Sequence, residues 1–265
     1  MAEFKNSGES DAASLLRESR AHYAKLTSYR DRGEVEFRLA DPMKVGSSVL
    51  QMSMPRSFMD EPMVTQFRSW FRKPADLRFE WISHHPYPPL RHIESCSVIW
   101  AGRTGAYISV EGQPEHHLCE SPGLAVASAT GVSMGSASHF APFFMRIEDR
   151  SAPLECFPDP GVVEEEIEGT SSWKVIAHWL PPTADERAES IRACKEYGLD
   201  EAEMAKTASR EERRMVLYIA KQDLLVRRIH RGTNCIETRR EIEVDLPLPD
   251  NLFVNCPGVH RPWQD

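Results

Sequence analysis

The sequence predicts an α+β protein whose main element is an antiparallel β-sheet. Two stretches in which apolar and polar residues alternate, an aromatic hairpin at 64–81 and a meander at 214–244, predict the sheet. A third stretch at 121–145, which contains no charged residue, predicts short helices that lie on it. The 265 residues carry a net charge of -8. This acidic balance argues against a nucleic-acid partner, because such a protein needs a basic face to displace counterions from phosphates.

The N-terminal part of the chain predicts a helix and the first strand. Residues 12–26 are expected to be helical and to lie on the sheet, since apolar side chains recur there at the spacing of one helical face. Residues 29–39 alternate and predict a strand. Residues 43–63 are rich in methionine and proline, with a short strand predicted at 48–54. Their methionines, Met43, Met52, Met54, Met59 and Met63, either form an adaptable wall for an apolar ligand or fill gaps in an irregular core.

The segment 64–81, VTQFRSWFRKPADLRFEW, predicts a hairpin with one strongly aromatic face. In its first half Phe67 and Phe71 fall on one side of the pleat, while the arginines fall on the other. Pro74 cannot donate to a strand ladder, so the chain is expected to reverse there. After the turn the alternation resumes and adds Leu77, Phe79 and Trp81 to the apolar face.

The segment 121–145 reads SPGLAVASATGVSMGSASHFAPFFM and predicts two short helices. Its glycines, prolines and serines make a membrane span unsuitable. Ser121 and Pro122 form an N-cap and first-turn pair, and residues 131–135 form an elbow between the helices. The apolar contacts to the sheet are expected from Leu124, Val126, Val132, Met134, Phe140, Phe143, Phe144 and Met145.

The remaining segments are expected to complete the sheet. Residues 95–108 predict a strand, a turn and a strand, and the acidic run 164–168 leads into an edge hairpin with a strand at 173–179. Residues 183–209 are polar and predict helices. The meander is divided into strands at 214–220, 224–231 and 236–244, and residues 246–255 are expected to close the sheet.

Nothing in the sequence predicts a catalytic residue, a cofactor or a metal ion. It lacks a P-loop, a dinucleotide fingerprint and an H-E-x-x-H pair. Ser133 lies in the string GVSMG, which matches G-x-S-x-G, but a nucleophile elbow follows a strand and this string follows a predicted helix. The histidines His84, His85, His92, His116 and His117 do not have the spacing of a zinc site. The six scattered cysteines suit free thiols in a reducing compartment and leave one or two disulfides open.

Several of these segments resemble the bacterial lipoprotein carrier family of LolA and LolB. The aromatic strand, basic residue, proline and Phe-x-Trp strand of 64–81 match the beginning of that fold. In chain order, 23–37 resembles its first helix and strand, 98–108 its next hairpin, 123–145 its lid helices and 252–259 its closing segment. The resemblance implies one domain over 1–265, built as an open, strongly curved antiparallel half-barrel with an N-terminal helix and lid helices on the concave face. It makes 183–209 a helical insertion between strands.

The resemblance also implies a function without catalysis. A hydrophobic ligand, the acyl chain of a lipid or lipoprotein, is expected on the concave face. The expected contacts are Phe67, Phe71, Leu77, Phe79 and Trp81 in the floor and Leu124, Val126, Val132, Met134, Phe140, Phe143 and Phe144 in the lid. The family's carrier has an arginine before the proline that helps hold the lid shut. This chain has Lys73 there, with Arg72 beside it, and a lysine is a flexible point donor where an arginine offers a planar fork.

Two other functions fit the same residues. A regulatory or interaction protein would fill the groove with its own side chains and contact a protein partner through 183–209. An esterase-like enzyme would use Ser133 or a histidine. Members of the family are exported, but residues 1–14 lack the pattern of a signal peptide. The periplasm is therefore expected for a mature form, and the cytoplasm for a full-length one.

Overall fold

Eleven strands form one open antiparallel sheet in the computed structural model of the chain. The structure describes residues 8–38, 62–84, 94–103, 105–110, 117–130, 133–145, 153–179, 214–232 and 234–254, and the positions 184, 185, 188 and 192. The strand predicted at 48–54 and nearly all of the insertion predicted at 183–209 lie outside these residues.

The sheet consists of two meanders that meet at the first strand. The strands are β1 (Ser28–Phe37), β2 (Met63–Arg72), β3 (Asp76–His84), β4 (Glu94–Gly102), β5 (Gly105–Val110), β6 (His117–Cys119), β7 (Phe157–Ile167), β8 (Thr170–His178), β9 (Arg214–Ala220), β10 (Val226–Arg231) and β11 (Cys235–Val244). Their order is β6-β5-β4-β3-β2-β1-β11-β10-β9-β8-β7. β1 is thus paired on both sides, with Tyr29 opposite Phe71 of β2 and opposite Val244 of β11.

Short helices cover the concave face. They are α1 (Gly8–Tyr23), α2 (Pro122–Thr130) and α3 (Ser136–Phe140), with 3-10 turns at Ala141–Phe143 and Pro153–Glu155. These helices and one face of each meander bury a common apolar core. The predicted α+β half-barrel is therefore confirmed. Within the described part of the chain, no helix is long and apolar enough to cross a membrane.

The period-2 pattern of the aromatic hairpin is confirmed in β2, where Phe67, Ser69 and Phe71 are buried on the core side. Gly33 of β1 makes this packing possible. A Cβ at Gly33 would collide with the ring of Phe67 and with the backbone carbonyl of Thr238, so only glycine fits between them.

Residues 246–254 do not close the sheet as predicted. They run as irregular chain into a short helix, α4 (Asn251–Val254), which contacts β3 and β4. Pro247 and Pro249 have no backbone donor for a ladder, which explains the absence of a strand in this described segment. The segment packs on the convex side instead, where Arg78 donates to the carbonyl of Leu252 (3.2 Å).

Candidate functional site

The aromatic floor of the sheet lies in direct contact with the lid, here the segment from α2 to the 3-10 turn at Ala141–Phe143 and the following Phe144. Phe71 of β2 stacks on Phe144 with ring centroids 4.4 Å apart. Phe143 stacks on Tyr23 of α1 at 4.6 Å, and Phe140 lies 6.0 Å from Phe79. Aromatic pairs at these distances attract each other, and this attraction stabilises the contact beyond the burial of apolar surface. The lid is thus held down by ring contacts at its C-terminal end.

The structure brings most of the predicted ligand contacts into one core. Buried together there are Phe67, Phe71, Leu77, Phe79, Trp81, Val126, Phe140 and Phe143, and the partly exposed Met134 and Phe144 pack against them. Leu124, by contrast, is 46% exposed, on the outer side of α2. Val132 lies outside the described residues. That these side chains contact a ligand stays a prediction.

Arg72 and Lys73, predicted to contact the lid, bind other parts of the chain. Alternation along β2 places Arg72 on the face opposite Phe71, and there it binds Asp76 (2.7 Å) and the carbonyl of Leu248 (3.0 Å). Lys73 donates to the carbonyl of Ala24 at the end of α1 (2.6 Å). Arg72 therefore holds the C-terminal segment that contains Leu248, and Lys73 holds the end of α1.

The arginine that grips the lid is Arg231, at the end of β10. Its Nη2 donates to the carbonyl of Met134, in the elbow between α2 and α3. Met134 and Gly135 both have left-handed backbone, with φ of 53° and 88°. A Cβ on Gly135 would lie 2.5 Å from the Arg231 guanidinium nitrogens, so the glycine allows the arginine to approach. Sequence reasoning missed this contact because the two segments are about a hundred positions apart.

A pocket of about 590 Å³ opens beside this elbow. One wall of the pocket is apolar and is formed by Phe37, Met63, Met134 and Trp179. Of these, Phe37, Met134 and Trp179 also pack against the core. Polar groups come from Arg231, Thr130 and Asn234. The remaining lining residues are Gly135, Arg214, Gly232 and Cys235. Of these lining residues, the sequence singled out Met134, as a contact of the lid, and Met63, as the last methionine of the stretch 43–63.

Ser133, the serine of the G-x-S-x-G string, has a structural position. It is fully buried and follows α2, not a strand. Its Oγ accepts the backbone N–H of Ala137 (3.3 Å) in the first turn of α3. The serine thus satisfies one free N–H of a short helix from two positions before its N-cap, Gly135.

A buried network of charged side chains lies beneath the lid. Arg239 of β11, fully buried, donates to Asp31 of β1 (2.7 Å) and to Glu237. The other carboxylate oxygen of Glu237 bonds Nδ1 of His139 in α3 (2.7 Å). Asp31 also accepts from the hydroxyls of Tyr29 (2.7 Å) and Ser69. The network joins both meanders and the lid, and its signal in the sequence is charge at core-facing strand positions.

Burial and pairing set the protonation of this network. Burial would raise the pKa of Glu237, but Arg239 and His139 outweigh it and hold that pKa at about 2. Burial lowers the pKa of His139 despite the nearby Glu237, and it raises the pKa of Asp31 despite Arg239. At neutral pH His139 is therefore uncharged and donates its Nδ1–H to the carboxylate of Glu237.

Stability is expected to fall as the pH drops below about 6.5, the ordinary histidine pKa. The unfolded chain then binds a proton that the folded chain, with its lowered His139 pKa, does not. Glu237 contributes a further loss only below its ordinary pKa of 4.5. Urea unfolding of wild type and His139→Gln between about pH 7.5 and about pH 5 measures the slope, which the substitution should reduce.

His230 is the histidine for comparison: burial lowers its pKa as well, but it lies on the convex face beside Tyr218. His230→Gln should also make the unfolding free energy less dependent on pH, and the part that is due to His139 should remain. A slope that is unchanged in His139→Gln would contradict the assignment to the lid histidine.

No protein-family model matches the chain, and no curated protein sequence matches it significantly. Solved structures that are similar include LprF from Mycobacterium bovis, with 12% identity, a TM-score of 0.44 and coverage of 92% of this chain and 99% of that one. MucB has 10% identity and a TM-score of 0.43, and the match covers 94% of this chain and 64% of MucB. A putative outer membrane lipoprotein-sorting protein domain from Vibrio parahaemolyticus has 10% identity, a TM-score of 0.38 and coverage of 93% and 97%.

Proposed function

We propose that the protein binds a hydrophobic ligand, the acyl chain of a lipid or lipoprotein, on the concave face of its half-barrel and catalyses no reaction. The observation that carries the proposal is the pocket beside the lid elbow. Its volume of about 590 Å³ is within the range of small-molecule sites. Phe37, Met134 and Trp179 of its wall pack against the same core that the lid covers. An apolar ligand that enters there meets a continuous apolar surface.

The physical chemistry of such a site requires no catalytic group. Burial of one methylene contributes about 0.8 kcal/mol, so ten methylenes contribute about 8 kcal/mol before the entropic cost of association. A longer chain would need more room than the pocket offers.

The test is quenching of tryptophan fluorescence by dibrominated stearate, since bromine quenches only a tryptophan that it contacts. We expect quenching in the wild type and a clear reduction of it in Trp179→Phe, because Trp179 lines the pocket. Displacement of an apolar dye by stearate should persist in this variant, since phenylalanine keeps the wall apolar.

Trp100→Phe is the matched control. Trp100 is buried on the convex face, stacked on Tyr107 with centroids 5.1 Å apart, so its loss should not change the fraction quenched by the ligand. If stearate neither displaces the dye nor quenches the wild type, the binding proposal fails.

A regulatory or interaction protein on the same scaffold is the second candidate. One observation favours it: Phe67 and Phe79 of the floor are fully buried under the protein's own lid. A protein that never releases this lid would need no ligand and would act through its surface, for which 183–209 stays the predicted contact. Failure of the dye and quenching measurements would support this candidate.

The periplasm is the compartment that we propose for a carrier of this kind. The family resemblance of the sequence supports it.

A further inference from the structure

Arg231 differs in its partners from Arg239 and Arg240 of the neighbouring strand β11. Arg239 binds two carboxylates, Asp31 and Glu237, and Arg240 likewise binds Glu34 and Glu168. Arg231 has two neutral partners, the carbonyl of Met134 and the thiol of Cys235, whose sulfur is 3.0 Å from Nη2. Within the described residues, no carboxylate forms an ion pair with it. Its charge is therefore not neutralised by a direct contact there.

One nitrogen of Arg231 also lacks a hydrogen bond. Its Nε is buried from solvent and has no acceptor among the described residues. A buried donor without an acceptor costs free energy, and a charged donor costs more than a neutral one. Glu237, on the neighbouring strand, already uses its oxygens for Arg239 and His139. The guanidinium of Arg231 therefore lines the pocket with a charge that no described carboxylate pairs.

The surroundings of this guanidinium combine charge with an apolar wall. Arg231 lines the pocket together with Asn234 and Thr130, and Trp179 and Phe37 stand on the apolar side. Arg214 adds a second positive residue, and the described lining contains no aspartate or glutamate. A guanidinium offers a planar fork that matches a carboxylate or phosphate with two parallel hydrogen bonds.

We infer that the ligand is an anionic amphiphile, and that Arg231 binds its carboxylate or phosphate headgroup while the tail lies along the Phe37 and Trp179 wall. This inference rests on the proposed function and adds the ligand's charge and the residue that recognises it. Arg231 then has a double role, since the same guanidinium binds the lid elbow through Met134. A bound headgroup would compete with or reinforce that contact.

The test compares palmitate with hexadecanol, which has the same chain and no charge, by displacement of an apolar dye. We expect the wild type to prefer palmitate roughly tenfold or more, as a charge-assisted hydrogen bond provides. Arg231→Gln should remove most of this preference while hexadecanol still binds. Arg231→Lys should keep part of it, because the charge remains without the fork.

Arg228→Gln is the matched control, because Arg228 lies on the same strand but bonds Thr238 (3.1 Å) and Glu168 (3.3 Å). It should retain the preference for palmitate. Unfolding in urea shows whether each variant is folded, and the ratio of the two affinities in each variant does not depend on small changes in stability.

Each outcome decides between the two proposals. Equal binding of palmitate and hexadecanol in the wild type, or a preference that survives in Arg231→Gln, overturns the headgroup assignment and leaves the proposed function standing. Binding of neither ligand overturns both. Palmitoyl lysophosphatidate should compete with palmitate. If acetate or inorganic phosphate alone competes at similar concentrations, the site binds free anions. That result would overturn the inference that the ligand is an amphiphile.

Discussion

Replacement of Arg239 by methionine is expected to lower the free energy of unfolding by about 3–5 kcal/mol, the usual cost of breaking a buried ion pair on one side. Arg239 is fully buried and is the cation bound to both Asp31 and Glu237. It also lies over the rings of Phe67 (5.1 Å) and Phe140 (5.7 Å). Without the arginine both carboxylates remain beneath the lid with no direct cation, unless they bind protons. Urea denaturation at neutral pH measures the loss.

Arg240→Met provides the control at the next position of the same strand. Arg240 makes its ion pairs with Glu34 and Glu168 near the surface, and such pairs contribute at most about 1 kcal/mol. The double variant Arg239→Met with Glu237→Gln should regain part of the loss, because it removes one of the uncompensated charges. Equal losses in Arg239→Met and Arg240→Met would refute the role assigned to the buried network.

Phe140→Ala should cost about 3–5 kcal/mol of unfolding free energy, as expected when a fully buried phenylalanine is removed from a packed core. Phe140 lies at the centre of the contact between lid and floor, within 6.0 Å of Phe79 and 5.2 Å of Phe144. The same substitution opens a cavity under the lid, so binding of an apolar dye should become stronger per folded molecule.

Leu124→Ala is the comparison within the lid. Leu124 is 46% exposed, so its truncation should change the unfolding free energy by no more than about 0.5 kcal/mol. If Phe140→Ala were as mild as Leu124→Ala, the lid would not be seated on the floor as the ring distances indicate. Dye binding that decreases in Phe140→Ala would argue against a ligand site beneath the lid.

The sequence predicts local patterns better than the orientation of a helix. Alternation is a local property of a strand, so the aromatic face of Phe67, Phe71 and Phe79 is predicted correctly from spacing alone. The charge-free segment and its glycine elbow likewise predict two short helices. Composition cannot decide which sides of α2 and α3 face the sheet, and Leu124 and Phe140 therefore look equivalent until both helices are placed.

Contacts between distant segments were not predictable in the same way. Arg72 and Lys73 match the family's position for a lid contact, yet the pleat directs Arg72 to the convex side and Arg231 takes the contact to Met134. The network around Arg239 needs β1, β11 and α3 together, and charge at core-facing strand positions does not by itself show which groups pair. The pocket has the same origin, since its walls come from the ends of seven separate elements, β1, β2, α2, β8, β9, β10 and β11.

The pairing of β1 with β11 also governs the order in which the molecule can be assembled. Asp31 and Arg239 are separated by 208 positions in the chain. During synthesis from the N-terminus, β1 to β6 and the lid residues exist before β11 does. Until Arg239 arrives, the carboxylate of Asp31 has to remain hydrated or take up a proton, because a charge without a partner is not stable in an apolar interior. The buried network beneath the lid is therefore completed only when the last strand is added, and only from that moment does the lid cover an Asp31 that is paired with a cation.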